Sequence, residues 1–355
     1  MNRTKTLIAA GTVFVSTILC RAANSTSAQT TAPPATQSTS VTQPLTATQP
    51  IVLPGRGLAQ HPFLYTGEWD HRFAMQTMFI VRDGKVVWTY QIPIKDPTGT
   101  LEELGDATML SNGNIVFCRK VGASEITPDK KIIWNIESPK GTEIHSVQPI
   151  GLDHVLLVEN GNPAKLMLIN TVTGATEKEL ALPTPHPQRS HLQFRRVRQT
   201  SAGTFLAGHL DDGRVVEYDA EGKEIWSVKV PGPWSVVRLS NGNTLVGCSN
   251  QGVREINPQG QTVWEFTQKD VPTIKLFIIQ QVNRLANGNT VMCNWCPGSI
   301  KDPKQWPGSV QVIEVTPEKK VVWALSSWTD PADLGPASSI QLLDEPGAPS
   351  LDAYK

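Results

Sequence analysis

The chain has 355 residues, and its 32 basic side chains balance its 32 acidic ones, so the formal net charge is zero. This balance argues against nucleic acid as a partner, because nucleic-acid binding requires a basic surface that displaces counterions. Apolar residues make up 39% of the chain, enough for a packed core, and the 27 glycines and 27 prolines are typical of many short strands joined by turns.

The first 28 residues have the pattern of an export signal. Arg3 and Lys5 precede an apolar run from Leu7 to Leu19, which is too short to span a bilayer comfortably, and small residues follow it. We therefore expect a periplasmic or secreted protein, attached to a membrane only where this segment is retained as an anchor. Cys20 leaves lipidation open, although Leu19 occupies the position where a small residue is preferred before a lipidated cysteine.

Residues 29–55 carry no charged side chain and consist mainly of Ser, Thr, Gln, Pro and Ala. Such a segment cannot bury enough apolar surface to offset the entropy lost on ordering, so we predict a disordered linker. The folded domain is then expected over residues 56–349, and residues 350–355 are predicted to form a C-terminal tail.

Five strand-like runs, each ending in tryptophan, indicate an internal repeat. The runs are KVVW, KIIW, KEIW, QTVW and KVVW, and they end at Trp88, Trp134, Trp226, Trp264 and Trp323. The first two tryptophans are 46 residues apart, and the next gap of 92 residues is twice as long. A copy near Leu180 has therefore lost its tryptophan, which makes six units. A period in the forties with several strands per unit is typical of β-propeller blades.

The unit from Trp234 to Phe266 contains four strands, which we call A to D in chain order. WSVVRL is strand A, and Asn241-Gly242 forms a hairpin turn, because both residue types accept the positive φ that such turns require. NTLVGC, GVREI and QTVWEF follow as strands B, C and D. Asn-Gly at 112–113 and at 287–288 marks the same A–B turn in other units.

The two ends of the repeat region complement each other. Only three strands lead up to and include the first KVVW run, and one unpaired strand-like segment, SSIQLL at 338–343, follows the last tryptophan. Adding this segment to the first blade closes a ring and protects the sheet edges. The sequence therefore predicts an all-β fold: a six-bladed β-propeller of four-stranded antiparallel blades, closed by the C-terminal strand, which completes the N-terminal blade.

The runs DGKVVW, DKKIIW, EGKEIW and QGQTVW resemble the PQQ-like (quinoprotein-type) β-propeller repeats of exported bacterial proteins. The resemblance covers residues 56–345 and implies the propeller fold, with tryptophans that pack one blade against the next. It leaves the function open, because such repeats serve dehydrogenases and scaffolds alike. The sequence shows neither the adjacent cysteine pair nor the acidic calcium loop of the quinoprotein alcohol dehydrogenases. It therefore requires no cofactor, and PQQ and calcium have no specific motif behind them.

Four cysteines lie in the predicted folded domain: Cys118, Cys248, Cys293 and Cys296. An even number in an exported chain permits disulfides, and the short spacing favours a Cys293–Cys296 bridge, but the sequence leaves the pairing open. A metal site is not predicted, because no second CxxC motif or histidine pair lies nearby. Haem attachment is disfavoured because Pro297, not histidine, follows the second cysteine.

Strand A lines the central channel of a propeller, and its first residues face the opening where the D–A and B–C loops meet. Counting seven residues back from each A–B turn places Gly105, His145, Arg195, Trp234 and Gln280 there, followed by Asp106, Ser146, Arg196, Ser235 and Gln281. Ser338 and Ser339 of the closing strand join them. Convergent polar groups beside an aromatic wall predict a ligand site. The predicted ligand-binding residues are Asp106, His145, Gln148, His191, Gln193, Arg195, Arg196, Trp234, Gln280 and Gln281.

Each of these residues also has a purely structural explanation. His145 can be a channel histidine with satisfied hydrogen bonds, and Trp234 can be a plug. Alternation along the strand sends Arg195 and Arg196 to different faces, so one is expected in an inter-blade ion pair and the other at the ligand. Asp106 can belong to a solvated loop cluster in the LEELGD segment.

Three functions are compatible with the sequence. The first is an exported, monomeric propeller that binds a polar or anionic small molecule, such as a carbohydrate, at the channel entrance. The second is an enzyme at the same site with His145 and Arg195 as catalytic residues, through arylsulfotransferase-like transfer or quinone-dependent oxidation. The third is a scaffold for protein partners, like the PQQ-like propeller of the outer-membrane assembly lipoprotein. Binding is favoured, because a scaffold leaves the polar ring unexplained.

Overall fold

The structure, a computed structural model, describes residues 52–344. The predicted signal segment 1–28, almost all of the predicted linker 29–55 and the predicted tail 350–355 lie outside the described residues. Within 52–344, no helix is long and apolar enough to cross a membrane. This part of the chain forms six four-stranded antiparallel sheets and one two-stranded hairpin. Its short 3-10 helices span Gly57–Ala59, Ser190–Leu192 and Pro303–Gly308.

The strands follow one another in chain order, blade by blade. Blade 1 begins with β1 (Phe63–Gly67), β2 (Met75–Arg82) and β3 (Lys85–Pro93). Blade 2 contains β4 (Leu104–Met109), β5 (Ile115–Arg119), β6 (Gly122–Ile126) and β7 (Ile132–Glu137). Blade 3 contains β8 (Glu143–Ile150), β9 (His154–Asn160), β10 (Ala164–Asn170) and β11 (Thr176–Leu182). Each blade is a simple antiparallel meander.

The second half of the ring repeats this order. Blade 4 contains β12 (Phe194–Gln199), β13 (Phe205–His209), β14 (Arg214–Tyr218) and β15 (Glu224–Lys229). Blade 5 contains β16 (Pro233–Arg238), β17 (Thr244–Cys248), β18 (Gly252–Ile256) and β19 (Thr262–Phe266). Blade 6 contains β20 (Ile278–Arg284), β21 (Thr290–Trp295), β22 (Val312–Val315) and β23 (Val321–Leu325). A hairpin of β24 (Trp328–Thr329) and β25 (Ala332–Asp333) leads to β26 (Ala337–Leu342).

The last strand closes the ring as predicted. β26 pairs with β1 in antiparallel register, with Phe63 opposite Leu342 and Tyr65 opposite Ile340, so the sheet order of blade 1 is β26-β1-β2-β3. The Asn-Gly turns are also confirmed, since Gly242 adopts a φ of +84° between β16 and β17. The predicted six-bladed, four-stranded β-propeller is therefore confirmed.

The repeated tryptophans join neighbouring blades. Four of them donate an indole N–H to a main-chain carbonyl beyond their own blade: Trp88 to Pro128 (2.9 Å), Trp226 to Pro258 (2.8 Å), Trp264 to Pro317 (2.7 Å) and Trp323 to Gly57 (2.9 Å). Apolar side chains fill the space between the sheets; Leu245 of blade 5 and Ile313 of blade 6, for example, share one buried cluster. Each blade thus buries its faces against its neighbours.

The expected Cys293–Cys296 disulfide is not formed. All four cysteines of the described part of the chain are buried free thiols. Cys293 lies in β21 and packs in a cluster with Tyr65, whereas Cys296, just after that strand, packs with Trp306 in another cluster. Residues three apart in an extended segment point to opposite faces and are too far apart for a disulfide. The extended backbone therefore overrides the spacing argument.

Candidate functional site

A β-bulge near the start of strand A places residues of every blade in the channel. The pairing register between strands A and B shifts at this point in all six blades. A bulge leaves a residue unpaired and re-aims its side chain. The residues in the six bulges are Ser338, Gly105 with Asp106, His145, Arg195 with Arg196, Trp234 and Gln280.

The bulges surround one small depression at the channel mouth. Its lining consists of Glu68, Gly105, His145, Arg195, Arg196, Trp234, Gln280 and Ser338. The space open to the centre of a water-sized sphere is about 10 Å³, which is room for about one water molecule. The structure thus brings together the predicted residues His145, Arg195, Arg196, Trp234 and Gln280. Their role in ligand binding stays a prediction.

Arg195, His145, Glu143 and His191 form a closed ring of hydrogen bonds beside this depression. Arg195 Nη1 lies 2.9 Å from His145 Nδ1, and Arg195 Nη2 lies 3.0 Å from His191 Nε2. His145 Nε2 and His191 Nδ1 lie 2.8 and 2.9 Å from the same oxygen, Oε2 of Glu143. A guanidinium only donates and a carboxylate only accepts, so each imidazole accepts from Arg195 and donates to Glu143. In this arrangement the donor nitrogens are Nε2 of His145 and Nδ1 of His191.

Glu103 offers His145 a second hydrogen-bonding partner. Its Oε2 lies 3.2 Å from His145 Nδ1 and 3.5 Å from Arg195 Nη1. Burial and Arg195 act to lower the pKa of His145, but the carboxylates of Glu103 and Glu143 outweigh them, and the pKa is raised. Burial opposes ionisation of Glu103, yet His145 and Arg195 lower the pKa of Glu103 to about 2. Once protonated, His145 Nδ1 no longer accepts from Arg195 and donates to Glu103 instead.

Arg196 crosses the channel at the floor of the depression. From blade 4 it donates Nε–H to the carbonyl of Gln280 in blade 6 at 3.2 Å, and Nη2–H to the carbonyl of Ser338 in blade 1 at 3.1 Å. Its Nη1 contacts Asp106 of blade 2, and only 3% of the Arg196 side chain is exposed. Arg196 is therefore the arginine of the inter-blade ion pair, and Arg195 is the one that lies beside His145 and Trp234.

Serine side chains next to the bulges join neighbouring blades around the channel. Ser339, Ser146 and Ser235 accept hydrogen bonds from main-chain N–H groups of the following blade: those of Ala107 (3.3 Å), Val197 (3.0 Å) and Val282 (3.2 Å), respectively. These bonds join adjacent A strands around the channel. At the boundary between blades 4 and 5 the corresponding residue is Arg196, which reaches across the channel instead.

Five residues predicted at the ligand do not line the depression: His191, which belongs to the ring of hydrogen bonds beside it, and four residues that bond to neighbouring segments. Asp106 is bound by Arg198 through two hydrogen bonds of 3.0 and 3.1 Å, in addition to its contact with Arg196. The other three are glutamines whose amides are held by main-chain groups: Gln148 by Gln199 N (2.7 Å), Gln281 by Ile340 N (2.5 Å) and Gln193 by Gly161 N (2.8 Å) and O (2.9 Å). In this arrangement all four connect main-chain segments or blades.

Glu68 lines the depression and is not among the residues that the sequence analysis identifies. It follows β1, it is 4% exposed, and its Oε2 has no hydrogen-bond partner in the described part of the chain. Burial raises the pKa of Glu68 to about 7, the charge of Glu103 adds to this effect, and Arg195 opposes it. A carboxyl group with so perturbed a pKa in a concave site is typical of a functional residue.

Gly67, one residue before Glu68, allows the main chain to pass close to Leu334. A Cβ atom on Gly67 would lie 2.3 Å from the carbonyl oxygen of Leu334, so no larger residue fits without movement of the main chain. The available sequence signal for Glu68 was therefore a charged residue directly after a glycine, at the end of an otherwise apolar strand.

Trp234 lines the depression, and two further tryptophan rings pack next to it. The guanidinium carbon of Arg195 lies 4.4 Å from the ring centroid of Trp234, a cation–π contact. Trp295 stacks beside Trp234 at 6.4 Å, and Trp69 lies 5.7 Å from Trp295. Trp69 and Trp234 are half-buried, so part of this three-ring array faces solvent. Such rings present apolar faces next to the polar depression.

Glu103, His145 and His191 are the candidate metal ligands in the described part of the chain. Each offers one ligand atom, and these atoms lie within 4.8 Å of one another. Arg195, however, donates to a nitrogen of each histidine, so a metal ion would have to compete with a guanidinium for its ligands. We therefore assign no metal to this cluster. PQQ and calcium likewise have no specific motif behind them, so no cofactor is assigned to the site.

Comparison with known families gives one match. A family model described as outer membrane protein assembly factor BamB matches residues 186–299, which include Arg195, Trp234 and Gln280. No curated protein matches the chain.

Several solved structures are similar to this chain, one of them at moderate sequence identity. A protein of unknown function from Bacteroides caccae is 26% identical with a TM-score of 0.68, over 79% of this chain and 97% of that chain. A streptogramin B lyase is 12% identical with a TM-score of 0.49, over 76% and 90% of the two chains. The virginiamycin B lyase from Staphylococcus aureus is 12% identical with a TM-score of 0.47, over 76% and 85%. The two lyases are too distant to carry an argument about function.

Proposed function

Because the chain is a six-bladed β-propeller built of PQQ-like repeats, we propose that it binds a polar small molecule at the mouth of its central channel. Three residues that line the depression have a buried side-chain atom without a hydrogen-bond partner in the described part of the chain: Glu68 (Oε2), Arg195 (Nε) and Arg196 (Nη1). Arg196 Nη1 contacts Asp106, so Glu68 Oε2 and Arg195 Nε are the pair that supports the proposal most strongly. Buried polar atoms are otherwise almost always hydrogen-bonded, and leaving one unpaired is costly. A ligand group that bonds to both atoms removes this cost.

Binding is better supported than transfer through His145. A nucleophilic histidine needs a free ring nitrogen that faces the substrate. Here His145 Nδ1 accepts from Arg195 and His145 Nε2 donates to Glu143. The imidazole is therefore fully engaged in holding Arg195, and its role is to position that guanidinium.

The tryptophans around the depression provide a direct test. The protein is titrated with neutral sugars, uronates, small hydroxycarboxylates and sulfate esters while tryptophan fluorescence is recorded. We expect saturable binding of at least one compound, weakened about tenfold or more in Arg195→Gln, because a hydrogen bond from a charged donor is lost. Trp234→Phe serves as a second variant of the site and is also expected to weaken binding.

Arg238→Gln is the matched control. Arg238 also lies over a tryptophan, Trp226, at 5.1 Å and pairs with Glu217, but outside the depression. We expect Arg238→Gln to lose stability and keep its affinity. Flat titrations for the whole panel, or equal losses in Arg195→Gln and Arg238→Gln, would contradict the proposal.

A second candidate function is a scaffold for a protein partner, favoured by the match of residues 186–299 to the BamB model. In that case a partner recovered from native cells should bind Arg195→Gln and Trp234→Phe as well as the unmodified protein. We further propose export to the periplasm or the medium, on the basis of the N-terminal sequence pattern. Recovery of the unprocessed chain from the cytosol alone would argue against export.

A further inference from the structure

Glu68 Oε2 and Arg195 Nε, which have neither a hydrogen bond nor an ion-pair contact in the described part of the chain, differ in hydrogen-bonding character. Arg195 Nε–H can only donate, and an ionised Glu68 can only accept. A single group that bonds to both must accept from Arg195 and donate to Glu68. Hydroxyl groups do both, whereas a carboxylate or a sulfate only accepts. The polar atoms thus select the kind of ligand group, in a space with room for about one water molecule.

The charges around the mouth are already paired. Arg195 lies 3.5 Å from Glu103, Lys120 lies 3.5 Å from Glu143, and Arg198 lies 3.0 Å from Asp106. The fourth cation, Arg196, also contacts Asp106. Together with Glu68, these four cations face four carboxylates, so none of the four is left over for an anionic ligand as long as His145 and His191 accept hydrogen bonds from Arg195. An added anion would be an unpaired charge in a largely buried site, which is costly.

From this combination we infer that the ligand is neutral and bears hydroxyl groups, and that one hydroxyl bridges Glu68 Oε2 and Arg195 Nε. This inference rests on the proposed function and names the ligand class of the same site. The exposed parts of the Trp69 and Trp234 rings then offer apolar surface to the C–H groups of a carbohydrate. Glu68 is the residue that determines specificity, because its negative charge accepts from a hydroxyl and repels a carboxylate.

Matched pairs of sugars test this inference. Glucose, galactose and mannose are compared with glucuronate, galacturonate and mannuronate by isothermal titration calorimetry at about pH 8, where Glu68 is mostly ionised. We expect at least one neutral sugar to bind, and each neutral sugar that binds to do so about tenfold or more tightly than its uronate. In Glu68→Gln, affinity for the neutral sugar should fall about tenfold and affinity for the uronate should rise, because the amide can donate to a carboxylate.

Glu159→Gln is the control for this variant. Glu159 is also a buried glutamate whose pKa burial raises, but its charged neighbours are Lys165 and Glu179, and it does not line the depression. It should leave the ratio of neutral sugar to uronate affinity unchanged. Tighter binding of uronates by the unmodified protein, no change of the ratio in Glu68→Gln, or no binding of any of the six sugars would overturn the inference. Uronate binding that is lost in Arg195→Gln would overturn it while leaving the proposed function intact.

Discussion

At the channel mouth, a proton and an arginine compete for one nitrogen of His145. Nδ1 accepts from Arg195 when His145 is neutral and can donate to Glu103 only when His145 is protonated. The two hydrogen bonds therefore exclude each other, although both partners are within reach. Acidification converts one arrangement into the other and withdraws an acceptor from Arg195.

The carboxylates that raise the pKa of His145 can be tested one at a time. Glu143→Gln should lower the pKa of His145, because a negative acceptor 2.8 Å from Nε2 becomes a neutral amide. The pKa is measured by NMR titration of the imidazole nitrogens. The control is Glu177→Gln, which should lower the pKa of His154, whose Nε2 lies 3.0 Å from Glu177, and leave His145 unchanged. An unchanged or higher His145 pKa in Glu143→Gln would contradict the hydrogen-bonded ring.

At the scale of strands, a recurring contact set joins the outer part of one blade to the next. Between blades 5 and 6, Trp264 donates to the carbonyl of Pro317 and lies 5.2 Å from the guanidinium of Arg284, which binds Glu255 at 2.6 Å. The boundary between blades 4 and 5 has the same set in Trp226, Pro258, Arg238 and Glu217. The tryptophan of strand D therefore contributes a hydrogen bond and a cation–π contact as well as buried area.

The contribution of these contacts can be separated from that of area alone. Trp264→Phe removes the indole donor and weakens the contact with Arg284, so it should lower the free energy of unfolding by about 1–2 kcal/mol more than Trp134→Phe. Trp134 is the matched control, because it occupies the same strand position and makes no inter-blade indole hydrogen bond with any described residue. Stability is measured by denaturant unfolding. Equal losses in the two variants would show that only ring area matters.

The strands also show how far the sequence can predict the site. The A–B turn fixes the pairing register, and in blades 2 to 6 the bulge lies at the same distance from it, so counting back from the turn finds His145, Arg195, Trp234 and Gln280. Glu68 escapes this count, because it lies beyond strand B of blade 1, whose strand A comes from the other end of the chain. Gln193 is predicted from its position two residues before Arg195, but the direction of a side chain just before a bulge depends on local backbone geometry. The fold itself follows from the period, since only a closed ring gives the lone C-terminal strand a partner.

On the scale of the whole molecule, the closing boundary between blades 6 and 1 has a histidine where the two boundaries on either side of blade 5 have an arginine. His61 lies 3.0 Å from Glu314 of blade 6 and 3.1 Å from Asp344, just beyond β26, and its ring centroid lies 5.3 Å from that of Trp323. Burial acts to lower the pKa of His61, but the hydrogen bonds to Glu314 and Asp344 outweigh it, and the pKa is raised. Protonated His61, just before β1, therefore forms ion pairs with Glu314 of blade 6 and with Asp344 next to the closing strand.

This closure should make stability depend on pH in a defined direction. Because the folded pKa of His61 lies above its unfolded value, its contribution is fully present below about pH 6.5 and is lost as the pH rises through the folded pKa. His61→Gln should cost about 1–2 kcal/mol at low pH and less at high pH. His154→Gln is the control: His154 also bridges two carboxylates, but on the more exposed surface of blade 3. The free energy of unfolding is measured by denaturant titration at several pH values. A loss in His61→Gln that grows with pH would refute this explanation.

Arg196 spans the central channel of the propeller at the base of the depression. Its guanidinium, rooted in blade 4, is bonded to carbonyls of blades 6 and 1 and to a carboxylate of blade 2. A ligand in the depression must therefore enter and leave through the channel mouth, because passage from the opposite face would require these bonds of Arg196 to break first. The centre of this propeller is consequently a pocket that opens on one face, and not a channel that runs through the ring.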